Sequence, residues 1–145
     1  MKKCVNINRP KNFSPEFEVV ACFFQVRDTF LLLQCSDQKK YGGMWGMPAG
    51  KLEAGEGLTE GLIREVFEET AVLLSAKDVA FLKTVYVCYP ELDFVFHVFR
   101  TTFSDIPANF KLSAEHQDAI WVTPKKALSM NLIPGEDECI KLFYM

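Results

Sequence analysis

The stretch Gly50-Lys-Leu-Glu-Ala-Gly-Glu56-Gly-Leu-Thr-Glu-Gly-Leu-Ile-Arg64-Glu65-Val-Phe-Glu68-Glu69-Thr-Ala-Val72 decides how the rest of the chain is read. Gly50, Gly55 and Gly57 mark a turn, and helical spacing then runs from Leu58 to Glu69. On a helix advancing about 100° per residue, Glu68 and Glu69 fall within roughly 60° of Glu65, one on each side. Three carboxylates therefore share a face, while Leu62, Ile63, Val66 and Phe67 occupy the remaining arc and suit packing on a sheet. Like charges at this spacing cost roughly 0.2–0.5 kcal/mol per pair, and acids near a helix C-terminus oppose its dipole. A segment that breaks two local rules at once points to a functional site. A hard divalent cation would remove the repulsion, since Mg²⁺ selects carboxylate oxygens. Charge pattern alone leaves a solvated acidic face as the alternative. Arg64 lies four residues before Glu68 and can pair with it. Glu56 can reach back to Arg64 or to an ion.

Outward from this segment, Phe17 to Gln25 and Thr29 to Cys35 are apolar runs joined at Arg27-Asp28, a hairpin signal. Ser36 to Trp45 reads as a loop, and Met47 to Lys51 as a short strand. Val79 to Cys88 and Phe94 to Thr102 form two more strands, turned at Tyr89-Pro90-Glu91. Ala119 to Val122 is a short strand. Pro124 starts a helix over Lys125 to Met130, and Pro134-Gly135 precedes a last helix near Glu136 to Phe143. Residues 1 to 15, broken by Pro10 and Pro15, are expected to be irregular. Strands outnumber helices and adjoin as hairpins, so the class is α+β, a mixed sheet with helices on its faces.

The chain has 145 residues, which we read as a single domain over 1–145. A net charge of −3 provides no basic field for a nucleic-acid backbone, so no polymeric nucleic acid is expected as partner. An acidic protein that takes a phosphorylated ligand needs a metal to mediate. No run approaches the ~20 apolar residues that span a bilayer, and no signal-type stretch follows Lys2-Lys3. Five cysteines without a CxxC pair argue against zinc, and Cys22, Cys35 and Cys88 read as small buried hydrophobes. A cytoplasmic setting is the expectation.

The quoted segment resembles the Nudix box of Nudix hydrolases, G-x5-E-x7-R-E-U-x-E-E-x-G-U, where U is a bulky aliphatic residue. Gly50, Glu56, Arg64, Glu65, Val66, Glu68, Glu69 and Val72 fill their places. Met44 to Ala49 and Ala119 to Val122 also resemble the family. One position departs: Ala71 stands where the family has glycine. A left-handed residue there would end the helix, and Ala in that conformation costs about 1–2 kcal/mol.

The resemblance implies an α/β/α sandwich and Mg²⁺-dependent hydrolysis of a phosphoanhydride bond in a nucleoside diphosphate linked to a group X, with Mn²⁺ as a substitute metal. It implies Glu65 and Glu69 as direct ligands, Glu68 sharing the site or acting as base, and the Gly50 carbonyl completing the coordination. Arg64 would orient the carboxylates. Glu115 is a candidate further ligand or general base, against the reading of an exposed loop acid. His116 and His97 are weaker candidates, and Trp45 and Trp121 are expected to pack. Glu136 and Asp137, in Ile133 to Asp137, occupy a position where some relatives recognise the base. The leading reading is a nucleoside-triphosphate or modified-nucleotide pyrophosphohydrolase with a small nucleotide as substrate. A dinucleoside-polyphosphate hydrolase is the rival, because Ser113-Ala-Glu115-His116 resembles a loop of such members; a non-catalytic nucleotide-binding module is the third. A homodimer is the expected assembly if the chain self-associates.

Overall fold

The fold is organised by two strands that bury both of their faces. In the computed structural model, which describes residues 4–145, β2 (Pro15–Val26) and β3 (Thr29–Cys35) pair antiparallel across the Arg27-Asp28 turn. Arg27 takes the left-handed conformation there, with φ 54°. Along β2, Val20, Cys22 and Phe24 point to one side of the sheet and Ala21 and Phe23 to the other. Along β3, Leu31 and Leu33 oppose Phe30 and Leu32 in the same way. A strand covered on both faces reads as a continuous apolar run, as both of these do.

Six further strands complete a mixed sheet: β1 (Val5–Asn6), β4 (Trp45–Gly46), β5 (Ala49–Lys51), β6 (Ala80–Cys88), β7 (Asp93–Phe103) and β8 (His116–Val122). The order is β1-β6-β7-β2-β3-β4, with β5 added to β2 and β8 to β3. Only β2 and β7 run parallel among these pairs. Helix α1 (Leu58–Thr70) packs on one face through Leu62 and Val66. Helices α2 (Pro124–Ala127) and α3 (Glu136–Tyr144) cover the other through Ala127, Cys139 and Ile140. The result is the α+β sandwich expected.

Four local expectations need correction. The segment expected to be irregular contains β1, whose Val5 pairs with Val87 on the sheet edge, and β2 already begins at Pro15; residues 1–3 lie outside the described residues. The helix from Pro124 is one turn rather than two, because it stops at Ala127 and Met130 is held by a turn to the Ala127 carbonyl. Phe67 is half exposed: the buried stripe of α1 runs through Leu62, Val66, Glu69 and Thr70, which leaves Phe67 beside exposed Glu68. Cys35 and Cys88, at strand ends, are only half-buried, whereas Cys22 and Cys139 are buried.

Candidate active site

The local fold of α1 brings its acids to β5. At Gly50 the backbone comes so close to the Glu65 carboxyl that a Cβ there would displace it. The helix starts after Gly57, whose N–H donates to Glu60 Oε1 at 3.1 Å. It ends at Ala71 in the left-handed conformation, φ 61° and ψ 11°, with its N–H donating to the Phe67 carbonyl. Ala71 therefore does adopt the glycine-favouring geometry, and the helix end is closed from outside. The Thr70, Glu69 and Ala71 carbonyls accept from Lys111 N–H, Ser113 N–H and Asn109 Nδ2 respectively. That segment leads directly to Glu115.

Arg64 organises the acids. Its Nε and Nη2 grip Glu56 in a fork at 2.7 and 2.8 Å. Nη1 reaches Glu65 at 2.9 Å and both oxygens of Glu68 at 3.3 Å, and Nη2 also donates to the Lys51 carbonyl. The Arg64 fork holds the Glu56 carboxyl at a pKa of about 2, with the Glu53 amide assisting. Arg64 is thus one partner of Glu56, as its spacing in the sequence allows.

Glu69 is 4% exposed. Its Oε1 accepts the Ala49 N–H at 2.9 Å, and Oε2 lies 3.9 Å from His116 Nε2. Burial pushes its pKa well above the ordinary value, and the charges of Glu65, Glu115 and Glu68 add to the effect. Burial also raises Glu65, with Glu68 and Glu115 opposing the help of Arg64. Glu68 and Glu115 thus both act on the charge of Glu65 and Glu69, and Glu115, although exposed, belongs to their field. Such a set fits a hard divalent cation, whose charge would hold these acids ionised. His116 sits behind Glu69. His97 does not: it bonds Glu18 and Thr84 on the sheet, away from these acids. Trp45 and Trp121 pack against the two cores.

On the opposite side of the sheet lies a half-open cavity of about 90 Å³, walled by Met47, Tyr89, Phe94, Phe96 and Ile133, with Glu136 buried in its wall. Sequence reasoning placed Glu136 and Asp137 together, but only Glu136 lines the cavity, while Asp137 is exposed. The thirteen Phe suggest some aromatic surface in a cleft, without saying which residues form it. Its signal was the even-numbered aromatic side chains of Phe94-Val-Phe96, legible only once β7 had a side to face.

The NUDIX domain family profile matches residues 16–143. The chain is 26% identical over 129 residues to the CTP pyrophosphohydrolase of Escherichia coli K12, covering 87% of this chain and 90% of that protein. The crystal structure of a MutT protein from Methanosarcina mazei Go1 superposes with a TM-score of 0.76 at 29% identity, covering 90% of this chain and 94% of the other. The solution structure of the E. coli ORF135 protein gives 0.72 at 25%, covering 88% and 87%. With the box residues gathered on α1 and β5 and the profile spanning nearly the whole fold, the chain belongs to the NUDIX family.

Proposed function

We propose that this Nudix pyrophosphohydrolase cleaves nucleoside triphosphates, normal or modified, with Mg²⁺ held by Glu65, Glu68 and Glu69 and by the Gly50 carbonyl. The observation that carries the reading is the pairing of two sites across the segment Met47 to Ala49. The acidic cluster lies on its α1 side, and an apolar, aromatic-walled cavity lies on its α3 side. A nucleotide laid across this segment would put its phosphates by the acids and its base in the cavity. The CTP pyrophosphohydrolase among the relatives agrees with such a substrate. Members of the family generally need a divalent metal. When bound, that metal neutralises phosphate charge and acidifies a water.

The chain's own residues have separate tasks. Glu65 and Glu69, half-buried and buried, are the direct ligands. Glu68 shares the site from the exposed edge of the helix. Arg64, spent on Glu56, Glu65 and Glu68, orients these carboxylates. Glu115, whose charge acts on Glu65 and Glu69, takes the proton from attacking water in this reading, and Glu115→Ala should then shift the pH–rate profile; an unchanged profile would remove it from that role. The cavity holds the base, with Glu136 at its wall.

A panel of nucleoside triphosphates, dinucleoside polyphosphates and nucleotide sugars at fixed Mg²⁺, with products identified, tests the reading. Triphosphates should be cleaved to a monophosphate and pyrophosphate with the highest kcat/KM. Preference for a dinucleoside polyphosphate would instead favour the rival read from Ser113 to His116. Binding without turnover would make the protein a nucleotide sensor.

A further inference from the structure

Cys4 and Cys88 face each other at the open end of the β1–β6 ladder. Val5 pairs with Val87 and Asn6 with Tyr86, so one step outward Cys4 stands opposite Cys88. The Cys88 N–H donates to the Cys4 carbonyl at 2.9 Å. Directly opposed residues of an antiparallel pair have Cα atoms about 4.5–5.5 Å apart and share a face. A disulfide needs a Cα separation of about 4.4–6.8 Å, so the register already supplies the spacing. Cys4 precedes the first residue of β1, which leaves its backbone free to make the last small adjustment. Both residues are half-buried thiols, and they line one surface groove with Asn6, Lys11 and Phe13.

We propose that Cys4 and Cys88 are a redox modification site, closed to a reversible disulfide by a low-molecular-weight disulfide such as oxidised glutathione. Cys88 attacks first: its thiolate bonds one sulfur of the oxidant and releases one glutathione thiolate. Cys4 then loses its proton and attacks the Cys88 Sγ of this mixed disulfide, releasing the second glutathione thiolate. The two protein thiols give up two electrons, and the oxidant takes them up as two thiols. The surroundings set this order. Asn6 Nδ2 donates to Cys88 Sγ at 3.8 Å, which favours a thiolate there. The Cys4 thiol is pushed up to about 11 by burial, with the charges of Glu138, Cys88 and Asp137 adding to the rise and the Cys88 backbone working against it. Cys139, the third thiol in the neighbourhood, is buried and held protonated by that burial, so it does not compete. A half-exposed disulfide at a strand end is of the reducible, regulatory kind. Its consequence is local. Glu138 on α3 already accepts the Cys4 and Val5 N–H groups at 3.2 and 3.0 Å, which clamps β1 between β6 and α3. Val5 and Tyr89, the chain neighbours of the two cysteines, line the aromatic cavity. The cross-link therefore fixes one wall of that cavity when oxidised and releases it when reduced.

Equilibration of the whole protein with reduced and oxidised glutathione at set ratios, followed by thiol alkylation, digestion and mass spectrometry, tests this. The expected product is a peptide cross-linked between Cys4 and Cys88 that disappears in excess dithiothreitol. The oxidised protein should melt about 5 °C or more above the reduced one. Amides around Val5 should exchange with solvent about tenfold or more slowly after oxidation. Cys4→Ser and Cys88→Ser, checked for folding by circular dichroism, should show neither change, while Cys139→Ser should keep both. Oxidation that stops at a mixed disulfide, a Cys4 to Cys139 cross-link, or no cross-link at any ratio would overturn the proposal. A folded Cys4→Ser variant whose melting temperature still rises on oxidation would overturn it as well. None of these readouts needs a nucleotide or a metal, so the proposal stands or falls separately from the hydrolase reading.

Discussion

Glu69 and Glu136, from helices on opposite faces of the sheet, hold alternate amides of one segment: Glu136 Oε1 accepts from Met47 N–H at 2.8 Å and Glu69 Oε1 from Ala49 N–H at 2.9 Å. Pro48 lies between them and has no N–H to satisfy. Each helix thus places one buried carboxyl against the same three residues, and the acidic face and the aromatic cavity share a wall fixed from both sides. Each carboxyl has its pKa raised first by burial.

For Glu69 the geometry separates structure from catalysis. In Glu69→Gln the amide oxygen keeps the bond to Ala49, while the negative charge disappears. We expect kcat to fall more than about tenfold, above about 1.4 kcal/mol in barrier, with the melting temperature not lowered. Steady-state kinetics at saturating Mg²⁺ with thermal unfolding checks this, and full activity would remove Glu69 from the ligand set.

The left-handed Ala71 predicts a simple gain. Ala at φ 61° carries about 1–2 kcal/mol of strain that glycine lacks. Glycine gives back about 0.4–1 kcal/mol through the greater freedom of the unfolded chain. Ala71→Gly should therefore stabilise by about 0.5–1 kcal/mol, read as a higher urea midpoint at unchanged m-value. A lower midpoint would mean that the surrounding bonds, including Asn109 to the Ala71 carbonyl, already relieve the strain.

Glu136 predicts a pH dependence of stability. Its carboxyl titrates near 7 in the folded protein against an ordinary 4.5. A raised folded value means that the stability contribution is complete below pH 4.5 and is lost as pH rises through 7, to a total of about 3 kcal/mol. Glu136→Gln has no such loss. Its melting temperature relative to the wild type should climb between pH 5 and 8, by roughly 5–10 °C. A difference constant over that range would show that Glu136 is not titrating there.

By itself the sequence determined what depends on local rules. The period of Leu58 to Glu69 made a helix, and the angular arithmetic of that helix put Glu65, Glu68 and Glu69 together. The double-faced apolar runs of β2 and β3 announced a covered sheet, and Ala71 could be identified as the strained end of α1 because one backbone conformation stops a helix there. Other features depended on which sequence-distant segments meet. The edge strand Val5–Asn6 exists because β6 offers it a ladder, not through any propensity of its own. Phe67 is exposed because the sheet meets α1 along Leu62, Val66 and Glu69, a direction that an isolated helix does not possess. Glu136 and Asp137 are adjacent acids in the sequence. Only the docking of α3 against Met47 buries the first beside an aromatic cavity and leaves the second in water. Long-range packing thus distinguished two carboxyls that local chemistry leaves equivalent.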